Sequence, residues 1–149
     1  MEKGGDEMLT GTYSHSLDSK GRLIIPARFR KELGDGFVIT KNMDHCLSIY
    51  PKSEWEALTE KLNGLPLISS EAARKINRLI FGNSVDPEVD RQGRILIPAD
   101  LRKHANLTKD VTLVGANRLI EIWDTDTWND YNEHLDMSDI SYNLNGIDL

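Results

Sequence analysis

Asp18-Ser19-Lys20-Gly21-Arg22-Leu23-Ile24-Ile25-Pro26-Ala27-Arg28-Phe29-Arg30 is followed 72 residues later by Asp90-Arg91-Gln92-Gly93-Arg94-Ile95-Leu96-Ile97-Pro98-Ala99-Asp100-Leu101-Arg102, with seven of 13 aligned positions identical. The remaining apolar positions exchange only Leu, Ile and Phe. Leu47-Ser48-Ile49-Tyr50 with Trp55 matches Ile120-Glu121-Ile122-Trp123 with Trp128 at an offset of 73, and Leu62 matches Leu135. A module of roughly 50 residues is therefore present twice. A repeated binding surface explains such a duplication better than a repeated active site.

Working outward, Asp at the first and Gly at the fourth position of each tetrapeptide is the preference of a type I turn. The expected layout of each module is strand, turn, strand, short helix, two strands, helix. In the first copy, strands over 11–18 and 22–25 flank the turn. Pro26 and Pro98 stand where a helix begins, the place where a missing N–H costs nothing. Apolar strands are expected over 37–40 and 46–50, with Asn42 and Asp44 in their loop. Lys52-Ser53 and Asp124-Thr125 then introduce helices that place Trp55 with Leu58, and Trp128 with Tyr131, on one face. Between the modules, a serine cap at Ser69-Ser70 and spacing near 3.6 predict a helix over 69–81, ended at Gly82-Asn83. Its polar side carries Arg74, Lys75 and Arg78, an ordinary solvent face or a contact for an acidic partner.

At 149 residues the chain suits one compact unit or two small modules sharing a core. Each module alone is small for an independent core, so burial between modules or between subunits is expected. One cysteine, Cys46, excludes an internal disulfide and suits a reducing cytosol; it reads as a packed hydrophobe. No apolar run approaches the roughly 20 residues of a membrane span. Neither a signal peptide nor a membrane anchor is expected, and Met1–Glu7 reads as a loose polar extension before Met8.

The net charge of −6 is unevenly placed. Residues 119–149 carry eight acids and no Lys or Arg, leaving 18 basic against 16 acidic residues in 1–118, a net of +2. Residues 18–34 alone carry Lys20, Arg22, Arg28, Arg30 and Lys31 against Asp18 and Glu32, a net of +3. Local fields decide what a surface attracts. The acidic end is most simply a solvated tail.

Aliphatic packing accounts for the Leu, Ile and Pro positions of the motif but has no need of arginine. Both copies keep an Arg just after Gly and another eight residues on (Arg22 with Arg30, Arg94 with Arg102). A two-stranded ribbon fits the DNA major groove, and a guanidinium can take guanine O6 and N7 together or grip phosphate. Asp18 and Asp90, four residues before Arg22 and Arg94, would hold these arginines in orientation.

The paired motif resembles the SpoVT/AbrB-type DNA-binding domain. Two copies, with a Tyr-Pro-x-x-x-Trp and an Ile-Trp-Asp segment, are similar to the bacterial MraZ family from about Met8 to Trp128. The resemblance implies an α+β fold: a tandem AbrB-like swapped-hairpin β-barrel of two pseudo-symmetric repeats with short packing helices. Its segments would be 8–54 and 83–126 as the two domains, 55–82 as a helical link and 127–149 as a C-terminal helix and acidic tail. It also implies a ring-shaped homo-oligomer, in cytoplasm and nucleoid, binding double-stranded DNA. There it would repress its own cell-division and cell-wall gene cluster through promoter direct repeats. The DNA-binding set is then Asp18, Lys20, Arg22, Arg28, Arg30, Asp90, Arg91, Arg94 and Arg102. Arg22 and Arg94 lead in this set, while Arg30 and Arg102 either touch DNA or face a neighbouring subunit. The second copy departs from the first at Gln92 and Asp100, where Lys20 and Arg28 stand in the first, and is less basic.

Other chemistries are poorly served. Four histidines without metal-ligand spacing and a single cysteine predict no metal site. The chain has no Gly-rich phosphate loop and no nucleophile motif, so no cofactor and no enzymatic activity are expected. The rival readings are an AbrB-like antitoxin using the 136–149 tail to hold a toxin, and a ring scaffold indifferent to DNA.

Overall fold

In a computed structural model, residues 8–147 are described. The polar extension expected at 1–7 lies outside them. The elements run β1 (Leu9–Ser16), β2 (Arg22–Ile24), α1 (Ala27–Leu33), β3 (Phe37–Lys41), β4 (Leu47–Pro51), α2 (Lys52–Asn63), α3 (Glu71–Phe81), β5 (Arg94–Leu96), α4 (Ala99–His104), β6 (Asp110–Asn117), β7 (Ile120–Asp124), α5 (Thr125–Glu133) and α6 (Met137–Asn143). The fold is α+β. Its strands form a five-stranded antiparallel sheet, β1-β6-β7-β4-β3, and a two-stranded ribbon, β2-β5, with no closed barrel among the described residues.

The pairing departs from the expected layout in an informative way. β1 and β2 do not form a hairpin with each other; β1 pairs along its whole length with β6 of the second module, and β2 pairs with β5. Pro26 lacks an N–H and follows closely on the turn, leaving β2 only three residues to pair. The second module lacks a counterpart of β1. Its equivalent stretch is reduced to one bridge, Val85 to Ile39 of β3. Pro87, two residues later, cannot donate to a ladder. Even so, Tyr13 opposite Leu113 and Val85 opposite Ile39 are equivalent crossings, each module lending its first segment to the other.

A pseudo-twofold axis follows from the registers. In the ribbon, Arg22 faces Leu96, Leu23 faces Ile95 and Ile24 faces Arg94; in the sheet, Leu47 faces Ile122, Ser48 faces Glu121 and Ile49 faces Ile120. The axis thus passes between Leu23 and Ile95 and between Ser48 and Glu121. Leu23, Ile25, Phe29, Ile49, Ile95, Ile97, Leu113 and Ile122 are all buried in one core drawn from both modules. Burying each such side chain is worth about 1.5–3 kcal/mol. A module on its own would leave its share of this surface in water.

The helices form where the sequence places their signals, with two differences of detail. Pro26 and Pro98 are the residues preceding α1 and α4, one place earlier than expected, because their ψ of 140° and 151° is extended. Ser70 Oγ accepts the Ala73 N–H at 3.1 Å to start α3. Gly82 is right-handed (φ −68°), so α3 does not end on a left-handed glycine; Asn83 Nδ2 and Ser84 Oγ donate to the carbonyls of Leu79 and Phe81 instead. Arg74 reaches back to the Leu67 and Ile68 carbonyls, tying the loop before α3 to it. Trp55 packs on Phe81 and Tyr50, and Trp128 packs on Trp123, so the matching aromatics fasten α2 and α5 to equivalent ends of the sheet. Cys46 is fully buried, and burial pushes its thiol pKa up. No helix among the described residues is long and apolar enough to cross a membrane.

Candidate nucleic-acid interface

Each copy of the motif closes the same turn. The Gly21 N–H donates to the Asp18 carbonyl at 3.0 Å and the Asp18 N–H to the Arg22 carbonyl at 3.0 Å; Gly93, Asp90 and Arg94 repeat this at 3.0 and 2.9 Å. Gly21 and Gly93 sit at φ +82° and +79°, a conformation that favours glycine. Asp18 Oδ1 accepts the Lys20 and Arg22 N–H groups, both at 2.9 Å, and its Oδ2 accepts Arg22 Nε at 2.6 Å. Asp90 does the same with the Gln92 and Arg94 N–H groups at 2.9 Å and with Arg94 Nε at 2.8 Å.

These donors settle the charge state. The Arg22 N–H, with smaller help from its guanidinium and the Lys20 N–H and against partial desolvation, holds the Asp18 carboxyl down to about 2. Asp90 is lowered for the same reasons, the Arg94 N–H first. Both are carboxylates at neutral pH, acceptors only, and unsuited to donate a proton. With Nε occupied, the terminal amino groups of Arg22 and Arg94 donate no hydrogen bond among the described residues. Arg94 Nη1 lies 3.8 Å from Asp18 Oδ2, which links the two turns.

The turns are also locked to each other through the backbone. The Ile25 N–H donates to the Gly93 carbonyl at 2.9 Å and the Ile97 N–H to the Gly21 carbonyl at 3.0 Å. Arg30 and Arg102 lie on this seam, Arg30 exposed and Arg102 half-buried. Arg30 Nε holds the Ile25 carbonyl at 3.0 Å and Arg102 Nη1 the Ile97 carbonyl at 2.8 Å. Each guanidinium rests on the opposite module's turn glycine. A Cβ on Gly93 would stand 2.9 Å from Arg30 Cζ, and one on Gly21 would collide with the Arg102 guanidinium.

On the ribbon, Leu23 and Ile95 point into the core, and Arg22, Ile24, Arg94 and Leu96 share the outer face. Arg22 and Arg94 are diagonal neighbours across the strands, about 7–8 Å apart. Lys20 and Arg91 extend this surface from the exposed turns. Arg28 is exposed on α1, with Nη2 bonded to Thr10 Oγ1 at 2.8 Å, away from the turns. Ile24 and Leu96 were not singled out from the sequence as surface groups, because alternating aliphatics give no sign of which face is open. Beside the second turn, a cleft of about 480 Å³ is lined by Arg22, Arg94 and Leu96 on one side and by residues 85–90 on the other. The outer face therefore offers two pre-oriented guanidinium forks, free cationic groups and two aliphatic side chains, a set that can grip phosphate, guanine edges and methyl groups.

Comparison with known proteins agrees with the repeat. A family model described as “MraZ protein, putative antitoxin-like” matches residues 8–79 and again 80–143. The chain is 49% identical over 131 residues to a transcriptional regulator MraZ of Caldanaerobacter subterraneus subsp. tengcongensis, covering 88% of this chain and 91% of the relative. It is 51% identical over 126 residues to the protein of the same description from Heliobacterium modesticaldum, covering 85% and 87%. The protein of that description from Thermoanaerobacter pseudethanolicus is 48% identical over 131 residues. The chain belongs to the MraZ family.

Proposed function

We propose that this member of the MraZ family is a sequence-specific DNA-binding transcriptional regulator, a repressor of its own cell-division and cell-wall gene cluster acting at direct repeats in its promoter. The observation that carries the reading is the doubled Asp–Arg turn. Two guanidinium groups, each oriented by a carboxylate at 2.6 or 2.8 Å, stand on one face of the ribbon with terminal amino groups that donate no hydrogen bond among the described residues. Orientation before binding reduces the side-chain entropy lost when a fork meets a base edge.

Roles are then assigned residue by residue. Arg22 and Arg94 read bases, Asp18 and Asp90 orient them, and Lys20 and Arg91 contact phosphate from the turns. Arg28 contributes phosphate contacts from the flank. Arg30 and Arg102 hold the two turns in register and, from the seam, either touch DNA or face a neighbouring subunit. In this reading the segments 8–54 and 83–126 are SpoVT/AbrB-like units, joined by 55–82 and followed by 127–149. The exchange of β1 and the Val85 segment supports a swapped-hairpin barrel as the reading of this fold. Several such units in a ring, working in cytoplasm and nucleoid, would engage repeated sites with raised effective concentration.

The test is fluorescence anisotropy of the protein on its own upstream promoter duplex and on a shuffled duplex, across a salt series. Tight binding to the promoter alone, with log affinity falling as salt rises, is expected, and the slope counts the phosphates engaged. Equal weak binding to both duplexes would contradict the reading.

The words “antitoxin-like” in the family description favour a second reading, to which we add that the tail would hold the toxin. The tail carries exposed Met137, Tyr142 and Ile147, but Met137–Asn143 is a helix started by Asp136, which accepts the Ser138 N–H at 2.9 Å. Copurification of a small toxic partner that releases on deletion of 136–149 would favour that reading over repression.

A further inference from the structure

The outer face of the ribbon carries two aliphatic side chains that the roles above leave unused. Leu96 is 55% exposed and Ile24 41%, although the alternate residues Leu23 and Ile95 are buried to the last percent. A single exposed aliphatic is ordinary. Here the two are equivalent about the pseudo-twofold axis, and each is directly opposed to an arginine: Leu96 to Arg22, Ile24 to Arg94. The face is thus a checkerboard of guanidinium and branched aliphatic groups.

A major groove offers the matching pattern. Guanine presents O6 and N7 to a guanidinium fork, and thymine presents a C5-methyl group to an apolar side chain. Directly opposed residues on a ribbon have Cβ atoms about 5 Å apart, against a base-pair rise of about 3.4 Å. An arginine and its opposed aliphatic therefore reach neighbouring base pairs, a guanine and an adjacent thymine. We propose that Leu96 and Ile24 are specificity-determining residues that contact thymine methyl groups beside the bases taken by Arg22 and Arg94. This rests on the DNA-binding reading above and names part of the sequence it recognises. Leu96 carries the larger share, being the more exposed, with the cleft lined by Pro87, Val89 and Pro98 beside it leaving its side chain room to follow the methyl.

The experiment compares the promoter duplex made with thymine against the same duplex made with deoxyuridine throughout, which removes every C5-methyl and no hydrogen-bonding group. Anisotropy titrations at one salt concentration are run with the parent protein, Leu96→Ala and Ile24→Ala. The parent is expected to lose about fourfold in affinity for each contacted methyl that is removed. Each variant should bind the thymine duplex more weakly and show a smaller penalty on the deoxyuridine duplex, Leu96→Ala more so than Ile24→Ala. Equal affinity of the parent for the two duplexes overturns the inference and leaves DNA binding standing; this arm needs no variant to fold. Binding to neither duplex overturns the DNA-binding reading and this inference with it. A Leu96→Ala protein that changes oligomer size, with a parent indifferent to deoxyuridine, would assign the face to a subunit contact and overturn it as well.

Discussion

The first turn, Asp18–Arg22, and the second, Asp90–Arg94, share their backbone hydrogen bonds and the bond from each carboxylate to its own arginine Nε, yet differ in charge and in the segments that precede them. Lys20 stands where Gln92 does, Arg28 where Asp100 does, and the long strand β1 where the second module has a single bridge at Val85. The geometry is held because each turn is part of the other's scaffold, through the Ile25–Gly93 and Ile97–Gly21 hydrogen bonds and the arginines laid across each glycine. Lys20 and Arg28 are exposed and lie outside this lock, so they carry no such constraint. The lesson of the pair is that a duplicated site can lose charge on one side while keeping its frame on both.

The largest effect expected from breaking this frame is at the glycines. Gly21→Ala forces a side chain into φ +82° and displaces Arg102 from the Ile97 carbonyl, costing about 2–4 kcal/mol in all. Gly93→Ala meets Arg30 less closely, at 2.9 Å from Cζ, so a smaller shift of that side chain adds to a backbone cost of about 1–2 kcal/mol. Urea denaturation of the two variants orders them; a Gly21→Ala protein as stable as the parent would contradict the lock. Next come the arginines proposed to read bases. Arg22→Ala and Arg94→Ala should each weaken promoter binding by about 1–3 kcal/mol at fixed salt, with little change on a shuffled duplex.

A smaller and unequal effect is expected at the carboxylates. Asp18 lies within 4 Å of both arginines, whereas Asp90 pairs only with Arg94 among the described residues. Asp18→Asn should therefore lower promoter affinity more than Asp90→Asn, measured by the same titration. The acid side has a defined sign. The folded-state pKa of Asp18, about 2, lies below its ordinary value of 3.8. The stability it contributes is fully present above pH 4 and is lost as pH falls through about 2. Carboxyl-carbon NMR should find an Asp18 midpoint near 2; a midpoint at the ordinary value would mean that the turn does not hold its carboxylate in solution. The smallest effect is at the tips, where Lys20→Gln or Arg91→Gln should each reduce the salt slope by about one without changing sequence preference.

Much of this was readable from residue order. The duplicated motif, the Asp–Gly turns, the serine-capped helix before Phe81 and the paired aromatics all have local signatures. The strand partners do not. β2 is three residues long, and a three-residue strand carries too little periodicity to name its partner. β1 carries only Leu9 as a buried residue, with Tyr13 and His15 half-buried, a pattern too weak to name the module it pairs with. Spacing cannot show that α1 and α4 turn Arg30 and Arg102 onto a glycine 63 or 81 residues away. His45 and His104, scattered in sequence, have ring centroids 6.1 Å apart. His104 Nε2 lies 3.0 Å from the Asn42 carbonyl, and no cluster of three metal-ligating groups occurs among the described residues.

Whether the two turns together recognise DNA is decided by anisotropy of the parent and of the Arg22→Ala, Arg94→Ala double variant on promoter and shuffled duplexes at one salt concentration. The expected result is a parent that discriminates strongly between the duplexes and a folded double variant that binds both weakly and alike. A double variant that keeps the parent's preference for the promoter would contradict the assignment of recognition to these turns.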